Sequence, residues 1–368
     1  MRNPVLARRV ISLALCLAFQ LPPAIKAQTS SDLLDSDEFF QRASRRGPER
    51  DYTQKIDALL ARMTLEEKVG QMTQLAIAMV VSGRDQDVKI DPAKLEKAIV
   101  KYGVGIDAID IEAAKARGIP VVNVPEYAEE TVAEGAMTLM LALAKKLKPI
   151  QSAMDGEGWA WPESRWIGLD LSSKTLGLVG VGRIGTKVAR IAGNGFGMRV
   201  LGFDPHVADS HLAQAAVERR SDLRSLAAES DFLSVHCVLN DETRGLVGER
   251  ELAAMKHSAF LVNVSRGAIV DEVALLRALQ EKRIAGAALD VYSREPLAKS
   301  GHPLSALYSM DNVIVFPHLT FFTREAMQRL EDETLERSFE ILEGRPVLVK
   351  SDDPRLRGQR RGVRFGDG

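Results

Sequence analysis

Cysteine is nearly absent. Cys16 and Cys237 are the only two in 368 residues, too few for a disulfide scaffold or a thiolate metal cluster. Charge of one sign is also missing: 49 basic side chains face 50 acidic ones, which leaves no bulk field to draw in nucleic acid or an anionic membrane. Aromatic residues make up 5%, no repeat period appears, and the longest apolar run, Val10 to Phe19, is too short to span a bilayer. Any partner must therefore be recognised by a site. With 45% apolar and 27% charged residues, the chain is large enough for two folded domains.

The amino-terminal residues have the layout of an export signal. Arg2, Arg8 and Arg9 precede the apolar run, and Pro22, Pro23 and the small Ala27 follow it. Residues 1–27 are expected to be cleaved, leaving Cys237 as the single cysteine and no membrane segment. Residues 28–102 read as a polar linker and a helical lead. Thr64 and Glu67 stand at capping-box spacing ahead of a helix from Leu65, and Asp91 with Pro92 announces a second one, stopped by Gly103.

After Gly103 the texture changes to short β-branched runs separated by helical stretches of ten or more residues. This alternation predicts βαβ units, an α/β fold and a Rossmann-type, doubly wound parallel sheet. "TLGLVGVGRIG" places a strand before Gly180, Gly182 and Gly185, and a helix after them. The first glycine permits the tight turn, the second lets backbone amides approach a pyrophosphate, and the third lets helix and strand pack closely. Asp204 ends the next strand, where a carboxylate holds ribose hydroxyls and repels a 2′-phosphate, so NAD is expected over NADP.

Three later strands end in Arg266, Glu295 and His318. Ligands of a parallel sheet sit outside the carboxyl ends of its strands, so the three are expected to converge. The residue types suit hydride transfer to a 2-keto acid: an imidazolium supplies the proton, a guanidinium binds carboxylate and oxyanion, and a neighbouring carboxylate favours the charged histidine. Any of them alone would read as an ordinary surface or core residue. His211, His257 and His302 are expected to be structural, and His236, at a strand end, to line the cofactor cleft.

Six stretches in this order, "GVGIDAID", "NVPEYAEETVAE", "GLVGVGRIG", "NVSRGAIVDE", "GAALDVYSREP" and "FPHLTFFTREAM", resemble the NAD-dependent D-isomer-specific 2-hydroxyacid dehydrogenases over about residues 103–344. The resemblance implies catalysis by Arg266, Glu295 and His318, with Asp290 near the nicotinamide carboxamide. It places Gly180, Gly182, Arg183, Ile184, Gly185, Asp204, His236, Thr243, Val264, Arg266, Asp290 and His318 along the cofactor. Val104, Gly105, Tyr127 and Arg266 would hold the substrate, and no metal is called for. Tyr127 and "TFFT" resemble the D-lactate dehydrogenase branch, which suggests a small acid such as pyruvate. A homodimer formed through the nucleotide domain is also implied. Ala108, Val238 and Asn240 depart from the family's usual Asn, Pro and Thr.

The front of the chain departs further. About residues 51–102 resemble the start of family 3 glycoside hydrolases, in place of the βαβ half-domain that normally precedes "GVG". The expected organisation is thus an incomplete substrate domain, with a remnant at 103–150, a nucleotide domain at 151–317, a return segment at 318–348 and a disordered tail at 349–368. Three functions follow: a dehydrogenase, active or impaired; a catalytically inactive NAD-binding protein; or, on the front alone, a fragment of an exported glycoside hydrolase. The export signal points to the periplasm or secretion, NAD chemistry to the cytoplasm.

Overall fold

The computed structural model describes residues 98–107 and 109–366, together with two short strands at 81–82 and 89–90. The export signal, the linker, the helix from Leu65 and nearly all of the stretch that resembles glycoside hydrolases lie outside the described residues. Two compact units form, one from residues up to Pro125 and from Gln328 onward, the other from Glu126–Met327.

The described strands are β1 (Val81–Ser82), β2 (Lys89–Ile90), β3 (Ile99–Lys101), β4 (Val121–Asn123), β5 (Thr175–Val179), β6 (Arg199–Phe203), β7 (Glu218–Arg219), β8 (Phe232–Val235), β9 (Phe260–Asn263), β10 (Gly286–Leu289), β11 (Val313–Val315), β12 (Val347–Val349) and β13 (Val363–Phe365). The helices used below are α1 (Ile111–Ala116), α2 (Glu129–Ala144), α3 (Arg183–Arg190), α4 (Asp209–Gln214), α5 (Glu272–Gln280), α6 (Arg324–Leu342) and α7 (Pro354–Arg357).

In the unit Glu126–Met327, seven parallel strands form one sheet in the order β11-β10-β9-β8-β5-β6-β7. The order reverses between β5 and β8, the crevice position at which doubly wound sheets bind ligands. β8, β9 and β10 are buried along their whole length, as a sheet covered on both faces requires. The stacked rings of Phe232 and Phe260, 5.3 Å apart, join β8 to β9. Asp271 caps α5 by accepting from the Val273 and Ala274 amides, which fixes where the helix leaves the rim. This unit begins at Glu126 rather than at residue 151, because α2 packs against the later rim loops: a Cβ on Gly135 would lie 2.8 Å from the Thr320 Cβ.

The other unit corrects two expectations. The helix expected from Asp91 to Gly103 is not what ends at that glycine: Ile99–Lys101 is a strand, paired parallel with β4 and linked to it through α1. Ile99 is buried in a core with Ile106, Val121, Val347 and Leu356, so distant apolar partners outweigh the local helix signals. The tail from 349 is folded, not disordered. β13 pairs parallel with β12, α7 lies between them, and the buried Gln359 side chain accepts from Val121 N at 2.6 Å and donates to Val121 O at 2.8 Å. An arginine- and glycine-rich composition concealed four anchors there: Val349, Leu356, Gln359 and Val363.

Candidate active site

The glycine turn follows β5. Gly180 has φ +95°, and a Cβ on it would lie 2.6 Å from Cys237 N, so only glycine fits. A Cβ on Gly185 would meet Gly180 O at 2.4 Å, which shows how closely α3 approaches the strand. A Cβ on Gly182 would meet nothing within 4 Å, leaving open space at the start of α3, and a helix N-terminus favours an anion. Val181 is held from two sides. Its amide donates to Asp204 Oδ2 at 2.9 Å, and its carbonyl lies 2.9 Å from His211 Nε2. His211, expected to be structural, therefore holds the turn itself.

Asp204 also accepts from the His206 amide at 2.9 Å through Oδ1. A carboxylate oxygen has two lone pairs, so both keep acceptor capacity toward a ribose. Arg219 lies beneath this loop, donating to Asp204 O and Val207 O and pairing with Asp209. Arg183 pairs with Glu126 at 3.2 Å and Glu129 at 3.6 Å, while Ile184 is half-buried. The Thr243 hydroxyl closes its own loop by donating to Val238 O at 2.6 Å, helped by Asn240 Oδ1, which accepts from the Thr243 amide. Val264 is buried. His236 follows β8 with Nε2 on Ser234 Oγ at 2.8 Å and a buried Nδ1 that has no partner. Burial pushes its pKa down to about 4, and pushes the neighbouring Cys237 thiol up to about 12.

The carboxyl ends of β9, β10 and β11 carry the remaining residues. His318 Nδ1 lies 2.9 Å from Glu295 Oε2, and Glu295 Oε1 accepts from the Tyr292 amide at 3.0 Å. Burial pushes the Glu295 carboxyl up, but the His318 hydrogen bond and charge, the Tyr292 amide and the Arg266 guanidinium together hold it below the usual carboxylate range. Arg266 is thus near enough for its charge to act on Glu295. It acts on Tyr127 too, although burial dominates there and takes that phenol up to about 12. The Phe321 ring lies edge-on to both Tyr127 and His318, at 6.1 Å and 6.2 Å. Arg266, Glu295, His318 and Tyr127 are therefore gathered at one rim.

Asp290 is fully buried. It accepts from the Leu319 amide at 2.8 Å, the Thr320 amide at 3.1 Å and the Thr320 hydroxyl at 2.5 Å. In this structure its carboxylate fixes the turn behind His318, whose backbone is left-handed at φ +58°. Such a conformation costs a non-glycine residue roughly 1–2 kcal/mol, which the Asp290 bonds offset. Val104 and Gly105 belong to the other unit, where Val104 is 41% exposed and its carbonyl accepts from Asn123 Nδ2 at 2.7 Å. Sequence reasoning missed Asn263, which donates to Arg266 O at 2.9 Å and accepts from the Ser265 amide at 3.0 Å. It also missed Gly267 and Tyr292. The only signal was their place inside the quoted motifs.

A switch-point sheet with this turn and a basic, acidic and imidazole trio at the same rim defines a dinucleotide-binding protein of the Rossmann type. Residues 137–320 match the model of the D-isomer specific 2-hydroxyacid dehydrogenase, NAD binding domain. The chain is 36% identical over 307 residues to a glyoxylate reductase of Korarchaeum cryptofilum, covering 82% of this chain and 90% of the relative. It is 38% identical over 285 residues to a D-3-phosphoglycerate dehydrogenase of Methanocaldococcus jannaschii, but that match spans 77% of this chain and only about half, 52%, of the relative. Among solved structures, D-lactate dehydrogenase from Aquifex aeolicus, complexed with NAD and lactic acid, is similar with TM-score 0.62 and 31% identity, over 73% of this chain and 81% of that one. The chain belongs to the D-isomer specific 2-hydroxyacid dehydrogenases.

Proposed function

We propose that the protein interconverts a small 2-keto acid and its 2-hydroxy acid with NADH as the hydride donor. The carrying observation is the His318–Glu295 hydrogen bond beside Arg266. A nicotinamide, when bound, supplies the hydride. Everything else falls to the chain. In the reductive direction His318, through Nε2, delivers the proton that the carbonyl oxygen needs. Glu295 stabilises the imidazolium before that transfer, and Arg266 binds the substrate carboxylate and the oxygen as it gains charge. The turn at Gly180–Gly185 would hold the pyrophosphate, and Asp204 the adenosine ribose. The carboxylate of Asp204 favours NAD over NADP, and Arg219 is turned to the same loop, where Asp204 O, Val207 O and Asp209 accept from it. Tyr127 and Phe321 form an aromatic wall beside His318 that suits a side chain of the size of pyruvate's.

The same reading includes a homodimer. Trp159 and Trp161 are 57% and 71% exposed on the nucleotide unit with their rings 6.1 Å apart, and an exposed aromatic pair suits a second copy. The test is NADH oxidation with glyoxylate, pyruvate and hydroxypyruvate, run beside direct NADH binding. Turnover of at least one acid supports the dehydrogenase; binding without turnover of any would leave an inactive NAD-binding protein instead.

A further inference from the structure

Arg266, Glu295 and His318 reach the rim on three separate loops, and one buried residue of the middle loop meets all three. Tyr292 is 7% exposed. Its hydroxyl lies 2.9 Å from Leu289 O and 3.1 Å from Phe316 O, so its single proton serves the ends of both β10 and β11. The same Leu289 carbonyl accepts from the Phe316 amide at 2.8 Å, and His318 stands two residues further on. The Tyr292 amide occupies Glu295 Oε1, leaving Oε2 for His318. On the third side, a Cβ on Gly267, the residue after Arg266, would lie 2.0 Å from the Tyr292 carbonyl carbon, so the arginine loop runs directly against the Tyr292 backbone.

We infer that Tyr292 is a positioning residue for the acid–base pair: its hydroxyl ties β10 to β11 and thereby sets how Glu295 faces His318. This rests on the role proposed above for that pair. Burial raises the phenol above its ordinary pKa, so the proton that makes the tie is retained throughout the neutral range. Removing the hydroxyl while keeping the ring leaves the packing filled and the bond from the Phe316 amide to the Leu289 carbonyl in place, but takes the phenolic donor from the Phe316 carbonyl and so loosens the segment that leads to His318, where misplacement by about 1 Å can cost a hundredfold in rate.

The test is Tyr292→Phe in the full chain. Turnover of the best 2-keto acid is expected to fall about tenfold, with NADH affinity held within about twofold. The Glu295 carboxyl, followed by carbon-13 NMR and assigned by its loss in Glu295→Gln, is expected to titrate higher than in the wild type, because a displaced His318 weakens the hydrogen bond and charge that hold it down, while the backbone amide of residue 292 remains. An unchanged Glu295 titration in folded Tyr292→Phe overturns the inference, whatever the rate. The NMR readout needs no substrate. A wild-type protein that reduces no 2-keto acid would therefore defeat the functional reading, while the titration still decides the role of Tyr292.

Discussion

His318 and Glu295 share a hydrogen bond of 2.9 Å between Nδ1 and Oε2, and each is bound from behind by a different part of the rim. Asp290 fixes the turn after the histidine, and the Tyr292 amide fixes the other carboxylate oxygen. The fold itself thus holds the pair from both sides.

If the pair performs the proton transfer, its members separate rate from binding. His318→Asn is expected to lower kcat about a thousandfold and Glu295→Gln about a hundredfold, with NADH affinity little changed. Steady-state kinetics beside NADH titration checks this; a His318→Asn enzyme of wild-type rate would remove the histidine from the chemistry.

Asp204→Asn keeps an acceptor for the Val181 amide but removes the charge that repels a 2′-phosphate. The ratio of kcat/KM for NADH over NADPH should fall at least about tenfold, the equivalent of about 1.4 kcal/mol. A ratio that does not move would show that selectivity lies elsewhere.

His236 is held neutral by burial, its pKa lowered from 6.5 to about 4. Within that window the unfolded chain binds a proton that the folded chain refuses, so stability rises with pH between about 4 and 6.5 and flattens above. His236→Asn should remove part of this slope from thermal midpoints measured across the window.

The folded tail makes a separate prediction. Glu340, 1% exposed, pairs with Arg337 at 2.8 Å and Arg364 at 2.7 Å and accepts from the Leu348 amide. Burial raises its carboxyl, and these partners outweigh that to hold it below its ordinary 4.5. The contribution is thus complete above that value and is lost as pH falls through the lower, folded one. Glu340→Ala should cost about 3–5 kcal/mol in denaturant unfolding, and truncation before Arg364 should cost part of the same amount.

Trp161→Arg places charge beside the exposed Trp159. Light scattering should report a dimer for the wild type and a monomer for the variant; a wild-type monomer at micromolar concentration would remove this face as a self-association surface.

The sequence by itself determined what is local or periodic. β-branched runs spaced by helices required a parallel sheet, and three glycines between a strand and a helix required a nucleotide turn. Arg266, Glu295 and His318, each just past a strand, had to share one rim because all strands of such a sheet point the same way. Tertiary structure alone decided the rest. Ile99–Lys101 became a strand through pairing with Val121–Asn123, and the tail folded because Gln359 and Val363 found partners far away in the chain. Asp290 turned to Leu319 and Thr320, and Tyr292 came to serve three loops at once. These outcomes depend on which buried polar group finds a partner across tens or hundreds of residues, a matter of burial and geometry that no local pattern encodes.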